Sequence, residues 1–363
     1  MIKLKIDSTE VTADEGQTIL ECARKAGIEI PTLCHRDGVE HYSSCMVCMV
    51  KDVRADKYIP SCTAMAQDGM EIDASGTEVV ELRKKAVELL LSEHRAECEA
   101  PCRIVCPAGY NIPLMNRLIQ AGDIDGAVEL TFSEIANGEI RCTTCAGYCE
   151  NACRRKKIDH PVSIRNIKLF IHKIAVGNKQ GEIKSNEVIN EAQGDAEKKD
   201  VPHIRKRFSS RIGKIDDQEL KEWLKECSGD GLRFSEIPDF SAAEKEAGSC
   251  MHCDCRASEN CRLREIAEIF SLKDPPGKLV NIPLSKKINN QTGLIFENGK
   301  CIKCGLCVRV CKDTKEEPAL CFIYRGFISF ISEPLTEEFE TILKTKADIC
   351  VEVCPTGALS KMK

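Results

Sequence analysis

Several things are missing from this 363-residue sequence, and each omission excludes a class of protein. No apolar run approaches the roughly 18 residues that a membrane-crossing helix needs, and the greasy stretch 86–91, which contains Glu88, sits inside an amphipathic helical pattern. No membrane span is expected. The opening MIKLKID reads as a strand rather than an apolar signal segment, which implies a reducing, cytoplasmic setting. Neither G-x-G-x-x-G nor G-x-x-x-x-G-K-[ST] occurs, so no flavin or nucleotide site is expected in this chain. A net charge of −5 is too mild and of the wrong sign for nucleic acid as a main partner.

What is abundant is cysteine, 24 residues in five clumps. In a small exported chain that density reads as a disulfide scaffold; here the thiols are expected to be reduced or bound to metal. With 42% hydrophobic residues the chain buries real cores. Its length suits two or three domains of roughly 100–150 residues each.

The expected fold class is multidomain α+β. IKLKID and EVTAD alternate around Ser8 and precede a helical pattern at 17–26, the opening of a β-grasp [2Fe–2S] domain over 1–77. Helical spacing at 78–94 and near 112–121 makes 78–176 a helical domain with two [4Fe–4S] clusters. Residues 177–249 are nearly free of cysteine and rich in charge, as in SNEVINEAQGDAEKKD, and read as a long connector. Its HIRKR run (203–207) reads as a solvated face rather than a docking patch. A cysteine-rich segment follows at 250–288, and strand-like LIFE and CFIYRGFISFI place a ferredoxin-like [4Fe–4S] domain at 289–363.

The clumps differ in spacing. Cys34, Cys45, Cys48 and Cys62 give C-x10-C-x2-C-x13-C, one tight pair with two outliers, which suits two irons sharing four thiolates better than zinc with its usual two tight pairs. His94, Cys98, Cys102 and Cys106 run as H-x3-C-x3-C-x3-C-P, and Cys142, Cys145, Cys149 and Cys153 as C-x2-C-x3-C-x3-C, together enough ligands for two cubanes. Cys250, Cys253, Cys255 and Cys261 lie within twelve residues, and spacing alone does not separate a cubane from a zinc ion there. Cys301, Cys304 and Cys307 with Cys354 of CVEVCP form the bacterial ferredoxin pattern, in which the Cys-Pro thiolate completes the first motif's cluster. A second cubane of that pattern needs two further cysteines where Lys344 and Ala347 stand, so Cys311 and Cys350 read as neighbours left by a lost cluster. Cys321 reads as a strand residue, and Cys22 and Cys227 as ordinary helix cysteines.

PTLCH with the CMVC pair resembles the [2Fe–2S] domain that opens the large iron–sulfur subunit of respiratory complex I and of iron-only hydrogenases, over about residues 1–95. CPAGYNIP followed by CAGYCENACRRKKIDHPVSI resembles the cubane domain of the small glutamate synthase subunit and of dihydropyrimidine dehydrogenase, over about residues 95–175. That second resemblance implies crosswise sharing: Cys98, Cys102 and Cys153 with His94 on one cubane, Cys106, Cys145 and Cys149 with Cys142 on the other. LLLSEHRAEC also resembles the helix that brings a histidine ligand to a cubane in complex I, while an exposed histidine at a helix end is the plainer reading of His94. EA-x-x-C-x-x-C segments such as the one ending at Cys253 accompany the same cubane domain in glutamate synthase relatives.

The expectation is one [2Fe–2S] and three to four [4Fe–4S] clusters with no catalytic residue of the chain's own. The function expected is electron relay within a cytoplasmic multi-subunit oxidoreductase. Its partners would be a flavin- or NAD(P)H-linked subunit on one side and a hydrogenase, formate dehydrogenase, reductase or ferredoxin on the other. The alternative is the iron–sulfur half of a split glutamate-synthase-like NAD(P)H oxidoreductase, and a zinc scaffold is the third.

Overall fold

The alternation of IKLKI and TEVTA is realised as a hairpin: Ile2–Ile6 (β1) pairs antiparallel with Thr9–Ala13 (β2), Leu4 opposite Val11. A computed structural model describes residues 1–95, 97–135, 142–183, 215–228, 236–272 and 284–362. It divides into two units, Met1–Ala96 with Arg256–Met362, and Glu97–Cys255.

In the first unit the hairpin leads to Ile19–Lys25 (α1), begun by a capping box in which Thr18 Oγ1 accepts from Glu21 N (3.2 Å) and Glu21 Oε2 accepts from Thr18 N (2.7 Å). Met49–Asp52 (β3), Lys57–Pro60 (β4) and Glu71–Asp73 (β5) complete a mixed sheet of order β2-β1-β5-β3-β4, with β1 and β5 parallel. Its apolar face closes on α1, burying Ile6, Ile19, Leu20, Val50, Ile72 and also Cys22. Thr77–Glu93 (α2) also belongs to this unit.

Glu97–Cys255 is helical. Pro101–Ile104 (α3), Ile112–Gln120 (α4), Ile124–Glu134 (α5), Tyr148–Asn151 (α6) and Ile164–Ile183 (α7) pack around Tyr110, Met115, Ile119, Ile167 and Ile171. The segment read as a connector also contributes. Asp217–Leu224 (α8) and Phe240–Ala247 (α9) are helices, and Ile237, Ala243 and Ala247 join the same core. The HIRKR run lies outside the described residues.

The first unit resumes with Arg262–Ile269 (α10), then a three-stranded sheet in which Leu294–Glu297 (β7) is flanked by Lys286–Asn289 (β6) and Leu359–Lys361 (β10). Leu306–Asp313 (α11) and Ala347–Val353 (α12) pack together, and Cys321–Ile323 (β8) pairs with Phe330–Ser332 (β9). Among the described residues no helix is long and apolar enough to cross a membrane.

Candidate metal centres

Three C-x2-C loops share one backbone feature. Met46, His252 and Lys303, each lying between the two cysteines of its pair, have φ of 55°, 45° and 55°. Non-glycine residues avoid this left-handed region unless the surroundings impose it. The bend turns backbone N–H groups toward sulfur: Lys303 N lies 3.4 Å from Cys301 Sγ, and His252 N–H faces the Cys250 thiol. N–H groups aimed at sulfur favour the charged thiolate, the form that binds metal.

Cys34, Cys45, Cys48 and Cys62 are between 1 and 4% exposed and lie on the loops around β3 and β4. Hydrogen bonds from the Cys45 and Cys62 thiols hold Cys34 far below the usual thiol range, and the Cys62 thiol lowers Cys48 to about 7. The four thiols are thus closely linked to one another.

A second set lies in the helical unit. Cys102, Cys153, Cys250 and Cys253 line one cavity with Asn116 and Arg154. Burial pushes Cys102 and Cys253 well up and Cys250 up to about 12, which marks the space as dry. Asn116 is fully buried beside the Cys250 thiol, yet neither Nδ2 nor Oδ1 makes a sound hydrogen bond. An amide left so costs roughly 1–3 kcal/mol, and a sulfide-bearing cluster in the cavity would give its N–H an acceptor.

Cys250 and Cys253 reach this cavity because their segment is fastened on both sides. Arg155 Nη1 donates to Ser249 O (2.9 Å), and Arg117 of α4 grips Asp254 through two bonds of 2.9 and 2.8 Å. The grouping therefore differs from the sequence expectation. Cys255 N donates to Cys98 O (3.1 Å), and Cys261 belongs to the first unit, its thiol 3.8 Å from Pro355 O. The Cys102 and Cys153 thiols face Cys250 and Cys253. His94 lies in the first unit, where its ring bonds the Lys300 backbone and Nδ1 is buried without a partner. Burial, reinforced by the Lys300 charge, lowers its pKa to about 4, so the imidazole is neutral and one nitrogen is ready to act as a ligand.

Cys106, Cys142, Cys145 and Cys149 form the third set, linked by the mutual influence of their thiols. Burial raises Cys149 to about 12, while Lys168 opposes the rise at Cys142 and Cys149. Arg165 holds the strand entering the site through Cys142 O (2.8 Å).

The fourth set lines a cavity in the first unit: Cys301, Cys304, Cys307 and Cys354, closed by Phe296, Ile302 and Ile331. Burial lifts the Cys301 thiol to about 12. Cys311 and Cys350 are buried beside it with their sulfurs 3.3 Å apart. The loops of the first and fourth sets are tied to each other. Arg309 Nη2 donates to Cys34 O (2.8 Å), Arg36 pairs with Glu352 (2.7 Å), and Ser44 Oγ reaches Cys304 O (3.5 Å). No sequence signal announced that contact, because Arg309 and Cys34 are 275 residues apart.

Residues 1–76 match a family described as a 2Fe-2S iron–sulfur cluster binding domain, and residues 78–180 match dihydropyrimidine dehydrogenase domain II, 4Fe-4S cluster. The chain carries an iron–sulfur domain of 2Fe-2S type followed by one of 4Fe-4S type. Its similar proteins include an NADH-quinone oxidoreductase subunit of Rhizobium meliloti, 26% identical over 41% of this chain and 19% of that protein. The NADPH-Fe(3+) oxidoreductase subunit alpha of Geobacter sulfurreducens is 33% identical over 32% of this chain and 13% of its own. A Bacillus subtilis protein provisionally named a formate dehydrogenase is 30% identical over 45% and 17%. The chain thus spans less than a fifth of the length of these curated relatives. A crystal structure of an NAD+-reducing [NiFe]-hydrogenase aligns with a TM-score of 0.50 and 15% identity over 99% of this chain and 87% of that one, a likeness of fold alone.

Proposed function

We propose that this chain is an electron conduit in a multi-subunit oxidoreductase, with a [2Fe–2S] cluster on Cys34, Cys45, Cys48 and Cys62 and cubanes on the other three donor sets. The carrying observation is the gathering of Cys102 and Cys153 with Cys250 and Cys253, which lie far along the chain from both, into one dry cavity with an unsatisfied amide. Bound clusters supply reversible one-electron storage without proton transfer. The protein's part is to hold the thiolates, exclude water and fix distances. Arg309 and Ser44 do the last of these for the first and fourth sets by bracing their loops.

His94, Cys98, Cys255 and Cys261 remain outside these sets. Iron analysis separates the cases: about 14 irons per chain for one [2Fe–2S] and three cubanes, about 18 with a fourth. Zinc with little acid-labile sulfide refutes the conduit. The names of the relatives support partners that oxidise NAD(P)H or act on formate, quinone or ferric iron. The match of 78–180 to a dihydropyrimidine dehydrogenase domain favours a second reading, the iron–sulfur half of a split NAD(P)H oxidoreductase. Co-purification decides: a glutamate-synthase-type flavoprotein supports the split enzyme, and a hydrogenase or dehydrogenase chain supports the conduit.

A further inference from the structure

The two cysteine sets of the helical unit differ in how their cations are balanced. Around the first, Arg154 is matched by Glu97 (2.6 Å) and Arg117 by Asp254 (2.8 Å), so little net positive charge reaches the thiols. The second holds Lys168, on α7 and 3% exposed. Its Nζ lies 3.5 Å from Cys106 Sγ and 4.7 Å from the centre of the Tyr110 ring. Among the described residues it has no carboxylate within ion-pair distance. Arg165, the other cation facing Cys142, directs its guanidinium to the carbonyls of Cys142 and Thr143.

A buried ammonium without a counter-charge is costly, and a neutral thiol with an aromatic face offsets only part of that cost. Thiolates around a cluster supply the missing anion. Reduction then adds one more negative charge and no proton, and a cation at this distance favours the reduced form in a medium of low dielectric constant. We propose that Lys168 sets the reduction potential of the site built by Cys106, Cys142, Cys145 and Cys149, holding it above that of the site built by Cys102, Cys153, Cys250 and Cys253. The proposal rests on those ligand sets and adds an order of potentials between them.

The test is an EPR-monitored redox titration of the full chain with its clusters. Cys149→Ser first identifies the signal of the Lys168 site; if no cubane signal depends on Cys149, the ligand assignment fails, whatever Lys168 does. Lys168→Met is expected to lower that midpoint by at least tenfold in the reduction equilibrium, about 59 mV for one electron, with the other midpoints unchanged. Lys168→Arg should retain most of the wild-type value. An unchanged midpoint in Lys168→Met, or an equal shift of all clusters, overturns the proposal. If Lys168→Met loses the cluster, Lys168→Gln is measured in its place. Cluster loss in both neutral variants with retention in Lys168→Arg upholds the need for charge, whereas loss in all three overturns it.

Discussion

Substituting Cys102 and Cys253, singly and together, separates the ligand grouping in the structure from the one that sequence proximity suggests. If the two thiols hold one cubane, Cys102→Ser and Cys253→Ser each cost at most about four irons, and the double variant costs no more than the worse single one. If Cys253 served a separate site with Cys250, Cys255 and Cys261, the losses would add to about eight. Two changes acting on one shared object are non-additive, while changes at independent sites sum. The structure favours the first outcome because both thiols line the cavity that Cys153 and Cys250 complete. The assay is iron and acid-labile sulfide per chain on anaerobically purified protein, with low-temperature EPR to count cubane signals. Additive loss of about eight irons refutes the shared cavity.

Two further outcomes follow from particular contacts. Arg117→Leu removes the two bonds of 2.9 and 2.8 Å to Asp254 that tether the Cys250–Cys253 loop, and removing one side of a buried ion pair typically costs about 3–5 kcal/mol. Denaturant midpoints should fall sharply, and replacing Arg117 and Asp254 together by apolar residues should recover much of the loss, which an exposed and unimportant pair would not do. Cys311→Ser with Cys350→Ser should leave the iron content unchanged, since only these two thiols, 3.3 Å apart, mark the place where a second ferredoxin cubane would need four; a drop of about four irons would show that a cluster is held there after all.

The sequence was most legible where ligands are close together along the chain. The C-x2-C pairs at Cys45, Cys250 and Cys301 form their own turns, and their partners Cys48, Cys253 and Cys304 come with them. It was least legible where a long-range tether decides the outcome. Cys255 follows Cys253 by two residues, but Asp254 between them is locked to Arg117, and Cys255 turns instead to the Cys98 backbone. The resemblance of the Glu246–Cys253 stretch to segments that accompany the cubane domain was the available signal, since it ties Cys250 and Cys253, as a pair, to that domain. Of α8 and α9, only a helical pattern around Cys227 was legible, and for a compositional reason. α8 has little apolar surface, and its one large side chain, Trp223, is buried under the Arg154 guanidinium (4.8 Å), a contact that periodicity does not register.

The interleaving of ligands in the helical unit carries a consequence of its own. Cys102 and Cys106 are four residues apart and serve different sets, as are Cys149 and Cys153. Four residues along a helical backbone rise only about 6 Å, so two sites that alternate in this way are bound to be neighbours, and a change in the backbone of either segment moves both. The first unit reaches the same end by a different route: its two donor sets are nearly 240 residues apart at their closest in sequence, Cys62 and Cys301, and are joined through side chains, Arg309 and Ser44. Backbone interleaving fixes a separation that no single side-chain substitution alters, whereas side-chain bracing leaves it open to change at one residue. The separation of the two sets in the first unit should therefore be the more sensitive of the two to substitution of a single bracing side chain such as Arg309, and the separation in the helical unit the more robust.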